Sequence, residues 1–262
     1  MLANVSYKLG NLLFGLINYV GKLTLLLSQT IGLIFVRPIK RERILIQAKR
    51  VGPGSFFISG LVALFIGMIM ALQMASQMIR LGAEIYIPSV VGVSMTRELA
   101  PVLTALIVAG RVGAGIAAEI GSMAVTEQVD ALRAFAVNPV KFLVVPRFLA
   151  LVIMVPCLTI FADLVGIFGG FIICVFKLGM HASMYLNMIA QAVDIPDILT
   201  GLLKAVVFAG IIALVGCHEG LHVKGGAEGV GRATTFSVVI SFILIIMADC
   251  LFTTLFYFIF KL

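Results

Sequence analysis

The chain has 262 residues, of which 61% are hydrophobic and only 12% charged. A soluble domain carries about twice that charged fraction, and a chain this apolar has too few polar groups to face water on every side, which excludes a soluble globular protein. The formal charge of +7 is placed between apolar runs, so it points to an anionic membrane surface rather than to nucleic acid.

The first apolar run, Leu23 to Val36, has 14 residues between Lys22 and Arg37, short of the ~20 that a spanning helix needs. With Lys8 and Lys22 along it, a helix lying in the interface fits best, within an N-terminal segment 1–50. A sixth span tilted through Lys22 is the alternative. No small-residue cleavage site follows before Lys22, so a cleavable signal is not expected.

Five longer runs follow. Residues 55–79 carry no charge at all. Residues 86–110 form the second span and contain Arg97 and Glu98. Residues 148–176 form the third, interrupted only by Asp163. Residues 198–217 form the fourth, with Lys204 near its start, and 233–260 the fifth, with Asp249 in its second half. Fourteen of the nineteen Lys and Arg residues fall before the first span, after the second and after the fourth. That side is expected to be cytoplasmic, which puts the N-terminus inside.

Ionisable groups within a span are costly and usually face a cavity or a partner. Arg97 and Glu98 are therefore expected to face a cavity, snorkelling to the outer interface being the alternative. Pro101 follows within a turn and favours a kink. Asp163 and Asp249 are expected to make interhelical hydrogen bonds rather than a proton relay. Met70, Met74 and Met78 form a stripe at four-residue spacing. Ordinary helix packing accounts for it, a surface for varied acyl chains being the other reading.

Between the second and third spans, residues 119–138 read as a helix: Val125, Val129, Leu132 and Ala136 recur at helical spacing, and Asn138-Pro139 ends the pattern. Such a helix either docks a partner subunit or anchors the bundle in the interface. The glycines from Gly225 to Gly231 follow no strand and read as a tight turn, and no G-x-x-x-x-G-K-[ST] occurs, so ATP hydrolysis is not expected of this chain. No metal site is expected from His181, His218 and His222. The four cysteines lie singly and read as small packing residues.

Several of these segments carry a resemblance. Residues Arg97-Glu98-Leu99-Ala100-Pro101-Val102-Leu103, Ala109-Gly110-Arg111-Val112-Gly113-Ala114, Ala118-Glu119-Ile120, Val125 to Leu132, Asn138-Pro139 and Pro146-Arg147 run on in order. Together with Gly225 to Thr235 they resemble the MlaE/YrbE permeases of MCE-type ABC lipid transporters. The stretch His218-Glu219-Gly220-Leu221-His222 departs from that pattern, where a tyrosine is frequent.

The resemblance implies an all-α integral membrane permease, one domain over 1–262, with an N-terminal interfacial helix and five transmembrane helices. It implies a homodimer that works with a cytoplasmic ABC ATPase dimer, which would bind ATP and Mg, and with a periplasmic-facing MCE hexamer. A STAS-type accessory subunit is left open. The cargo would be a phospholipid carried from the bacterial inner membrane, in support of outer-membrane lipid homeostasis. Arg97, Glu98 and Leu99 would line a lipid cavity with Leu72 and Met78, and Glu127, Gln128, Asp130 and Leu132 would couple to the ATPase. An ion-coupled secondary transporter using Asp163, Asp249 and Glu98 is the alternative from another class. A membrane-embedded lipid enzyme would need a nucleophile–base pair that the sequence lacks.

Overall fold

The computed structural model describes the backbone of residues 2–36 and 41–260 and the side chains of residues 14–15, 17–36 and 41–258. The side chain of Lys8, and Arg37, Lys40 and Lys261, which entered the charge count, lie outside them. The described residues form helices and no strand. Five helical stretches are long and apolar enough to cross a membrane: Arg41–Leu81, Glu84–Val125, Val140–Lys177, Ile195–Leu221 and Gly226–Phe258. The chain is thus an all-α, multi-pass membrane protein.

Each expected span lies within a longer helical stretch. Helix α2 runs from Arg41 to Met78. Its 38 residues extend about 57 Å at 1.5 Å per residue, against a hydrocarbon core of about 30 Å. Its first turns, expected in the N-terminal segment, are therefore the basic end of the first span. The second span is built of α3 (Ile87–Ser94), α4 (Ala100–Val108) and α5 (Ala114–Val125), joined by π-helical turns at Met95–Leu99 and Ala109–Gly113. Pro101 has no N–H to give to the carbonyl four residues back, that of Arg97, which loosens the regular ladder where the first π turn occurs. The third span is π-helical at Val140–Val144 and continues as α7 (Val145–Ile172). The fourth and fifth are α9 (Ile195–Leu221) and α10 (Gly226–Phe260).

The tightest seam joins α2 to α7. Ser55, Ser59, Ala63, Gly67, Ala71 and Ala75 recur every four residues along α2, and all are buried. Small side chains let two backbones approach within a membrane, where hydrophobic exclusion cannot pull helices together. A Cβ added at Gly67 would overlap the backbone of Gly166, and one added at Gly169 would overlap that of Leu64. Met70, Met74 and Met78 flank this stripe and pack, half-buried, against a core that includes Met95 and Tyr185. They are packing residues here.

Helix α8 (Ala182–Ala192) folds back beneath the ends of α3 and α7. The hydroxyl of its buried Tyr185 donates to the Ile167 carbonyl oxygen at 2.8 Å. Burial raises the phenol's pKa above its ordinary value, so it stays a donor. At the opposite face, α1 (Leu2–Ile34) is a single 33-residue helix. It packs against α9, the start of α7 and the Val140–Val144 turn. Tyr19 fixes it there: its hydroxyl donates to Glu219 Oε1 at 2.7 Å, and its ring meets His218 and Phe236 edge-on.

The expected helix over 119–138 is not continuous. Helix α5 stops at Val125, Thr126 donates its hydroxyl back to Ser122 O, and Glu127 adopts a left-handed φ of 59°. A short α6 (Gln128–Ala134) follows. The break ends the expected apolar stripe: Val129 is buried and Leu132 half-buried, while Val125 and Ala136 are exposed.

Candidate functional site: a charged cluster within the bundle

The second and fourth spans place their charges face to face. Arg97 and Glu98 sit on the π turn at Met95–Leu99, and Asp197 and Lys204 stand seven residues apart on one face of α9. Arg97 Nε donates to Asp197 Oδ1 at 2.5 Å. Lys204 Nζ donates to Glu98 Oε2 at 2.5 Å and to Thr253 Oγ1 at 2.8 Å, and lies 2.9 Å from Asp249 Oδ1. Thr253 in turn donates to Glu98 Oε1 at 3.0 Å. Adjacent residues on a helix point about 100° apart and cannot neutralise one another. Here each finds its counter-ion on the facing helix.

Burial is uneven across the cluster. The side chains of Lys204 and Asp197 are 1% exposed, whereas those of Arg97 and Glu98 are 30% and 37% exposed. Asp197 is locked by its own helix start, because it accepts from the backbone N–H of Asp194 at 3.0 Å in a capping box. The exposed edges of Arg97 and Glu98 open, with Thr200, Lys204, Thr253 and Phe256, on a cavity of about 80 Å³. Two cations and three acids thus meet inside the bundle, ready to present either sign to a polar group.

The expected lipid-cavity residues divide. Arg97 and Glu98 come together at this cavity, and Leu99 follows on the same turn but packs into the core around Met95. Leu72 is exposed on the outside of α2, and Met78 lies in the packing stripe. Neither lines this cavity within the single chain. The sequence reading missed Asp197, Thr200, Lys204 and Thr253 as site residues. The available signal was Lys204 and Asp249, charges in the fourth and fifth spans that complement the pair in the second. Asp249 meets Lys204 across helices as an ion pair at 2.9 Å, but the expected hydrogen bond to its Oδ1 is not formed among the described residues. Asp163 is buried in α7 with Oδ1 unpartnered among the described residues.

A second group of expected residues lies at the break after α5. Glu127, Gln128 and Asp130 are exposed, and Leu132 turns half-buried into the core. Arg133 bonds Asp130 at 2.9 Å on the surface. Phe135 is exposed at the end of α6. Asn138 Oδ1 accepts from the Val140 and Lys141 backbone N–H groups, which starts the third span. The result is a polar elbow anchored inward by Val129 and Leu132. His218 and His222 are brought together, with ring centroids 4.3 Å apart. No group of three or more His, Cys, Asp or Glu side chains suited to a metal ion occurs among the described residues.

Known proteins resemble the chain over most of its length. The family model described as Permease MlaE matches residues 44–255. A Rickettsia bellii protein named "Probable ABC transporter permease protein" is 41% identical over 257 residues, covering 98% of this chain and 99% of its own length. A Synechocystis protein named in the same way is 43% identical over 211 residues, 80% of each chain. The chloroplastic protein TRIGALACTOSYLDIACYLGLYCEROL 1 of Arabidopsis thaliana is 35% identical over 211 residues, 80% of this chain and 60% of its own.

Proposed function

The chain belongs to the MlaE permease family, and from that premise we propose that it moves phospholipid through the membrane as the permease of an ATP-driven transporter. The observation that carries the reading is the charged cluster around Lys204, which opens on a cavity among lipid-facing helices. A spanning bundle retains such a costly group where it handles a polar cargo. Arg97 meets the lipid phosphate through charge-assisted hydrogen bonds, and the apolar helix faces meet the acyl chains.

The remaining parts are supplied by other chains. A cytoplasmic ATPase dimer binds ATP and Mg and pushes on the elbow at Glu127, Gln128, Asp130 and Leu132. A hexameric MCE protein receives or delivers lipid on the periplasmic side of a bacterial inner membrane, with the permease N-terminus cytoplasmic. A second copy of the chain completes the lipid path. Helix α10 supports that pairing, because the rest of the chain covers only 11% of its apolar window. An ion-coupled relay is not favoured: Glu98 and Asp249 are both held by Lys204, and the relatives are ABC permeases.

The test is transfer of a fluorescent phospholipid from proteoliposomes to an MCE acceptor, in the presence of the ATPase and ATP. Glu127→Lys should abolish transfer while ATP hydrolysis continues and the chain stays folded. Undiminished transfer by this variant would refute the coupling role.

A further inference from the structure

A second cluster lies at the basic end of the bundle and shares no residue with the Lys204 cluster. Glu119 on α5 is shared by two arginines: Arg50 of α2 approaches both carboxylate oxygens at 3.1 Å, and Arg147 of α7 reaches Oε2 at 3.1 Å. Arg43, two turns before Arg50, stacks its guanidinium 3.6 Å over the Phe142 ring. Two guanidinium groups therefore share one carboxylate, and a third, that of Arg43, borders the same cavity.

Arg147 is the unusual member, since its side chain is only 5% exposed. One of its nitrogens donates to the Leu143 carbonyl oxygen at 2.8 Å, yet its Nε has no partner among the described residues. A buried guanidinium with a free donor and half a counter-ion is costly, and an anion beside it repays that cost. Arg147, Arg43, Gln47 and Glu119 border a cavity of about 200 Å³ whose remaining wall is apolar, with Met123, Phe142 and Leu143. The polar donors lie beside an apolar floor, where the leaflet's headgroups would meet the helix ends.

We infer that this cavity binds the phosphate of an anionic phospholipid, held by Arg43 and Arg147 with its glycerol end against Phe142. The site is separate from the Lys204 cluster and does not rest on the transport reading. It would give the basic face a bound lipid that ties α2, α5 and α7 together.

Binding to the full chain, purified in a zwitterionic detergent, tests this without ATP or partner proteins. The probes are short-chain phosphatidylglycerol, short-chain phosphatidylcholine and inorganic phosphate. Phosphatidylglycerol should bind most tightly, and Arg43→Gln should weaken it by roughly tenfold. Lys49→Gln, a charge loss on the same helix outside the cavity, should leave it unchanged. Gln47→Leu gives a second variant of the cavity in case Arg43→Gln fails to fold, and it should weaken binding severalfold. Equal binding of phosphatidylglycerol and phosphatidylcholine would overturn the proposal. So would an equal loss in Lys49→Gln, which means diffuse attraction, or binding of inorganic phosphate as tight as that of the lipid. Because no step uses ATP, failure here leaves the transport reading standing, and failure of transport leaves this binding intact.

Discussion

Replacing Lys204 by methionine tests the charged cluster most directly. The ammonium is 1% exposed and serves Glu98 at 2.5 Å, Asp249 at 2.9 Å and Thr253 at 2.8 Å. Methionine keeps most of the chain volume and removes only the charge, so it creates no large cavity. Two carboxylates, only partly exposed, then lose their cation. Breaking a buried pair by removing one partner costs about 3–5 kcal/mol. Glu98 is 37% exposed, so solvent repays part of its loss and the lower end, ~3 kcal/mol, is expected. For a chain of this size that is a fall of roughly 10 °C in melting temperature, followed by scanning fluorimetry of the detergent-solubilised protein. Adding Asp249→Asn to Lys204→Met should recover on the order of 1–2 kcal/mol, because it removes one orphaned charge. A Lys204→Met protein as stable as the wild type, with no recovery in the double variant, would refute the cluster as an energetic unit.

Three further outcomes follow from the packing. Gly67→Val should prevent accumulation of folded protein, since a side chain there overlaps the Gly166 backbone; size-exclusion profiles of membrane extracts report it. Glu127→Gly should keep the fold and gain about 1 kcal/mol by relieving the left-handed φ of 59°, whereas Glu127→Val should lose stability in the same thermal assay. Tyr19→Phe removes the 2.7 Å bond to Glu219. It should weaken the hold on α1 by about 1 kcal/mol, seen as faster proteolysis within residues 1–36 with the five spans intact.

The five spans were legible because a run of apolar residues long enough to cross a bilayer is a property of local sequence. So was the polar character of the elbow, read from Glu127, Gln128 and Asp130. The break at Glu127 was not. Val125, Val129, Leu132 and Ala136 fit one helical face, and nothing in a glutamate announces a left-handed backbone, which it adopts only because flanking contacts overrule its preference. Arg97 and Glu98 stood out as intramembrane charges, but their partners lie about a hundred residues away. Hydropathy gives each span's charges without saying which helices touch. Leu72 was placed at the lipid cavity from its position along α2 alone, and it is exposed on the outside of the single chain. The stripe from Ser55 to Ala75 was present at four-residue spacing, yet the larger methionines beside it drew the reading.

That stripe constrains how such a protein can move. Where side chains interdigitate, helices can slide by exchanging rotamers, but the contact at Gly67 and Gly166 is backbone against backbone, with no rotamer to exchange. Helices α2 and α7 therefore behave as one stiff strut. The same holds where α9 meets the second span, since a Cβ at Gly201 would overlap the Thr96 carbonyl, whereas α9 and α10 meet at Lys204 and Thr253 through a side-chain hydrogen bond that has rotamers to exchange. The chain is built like a braced frame, with glycines at its fixed joints and a charged side chain at its adjustable one.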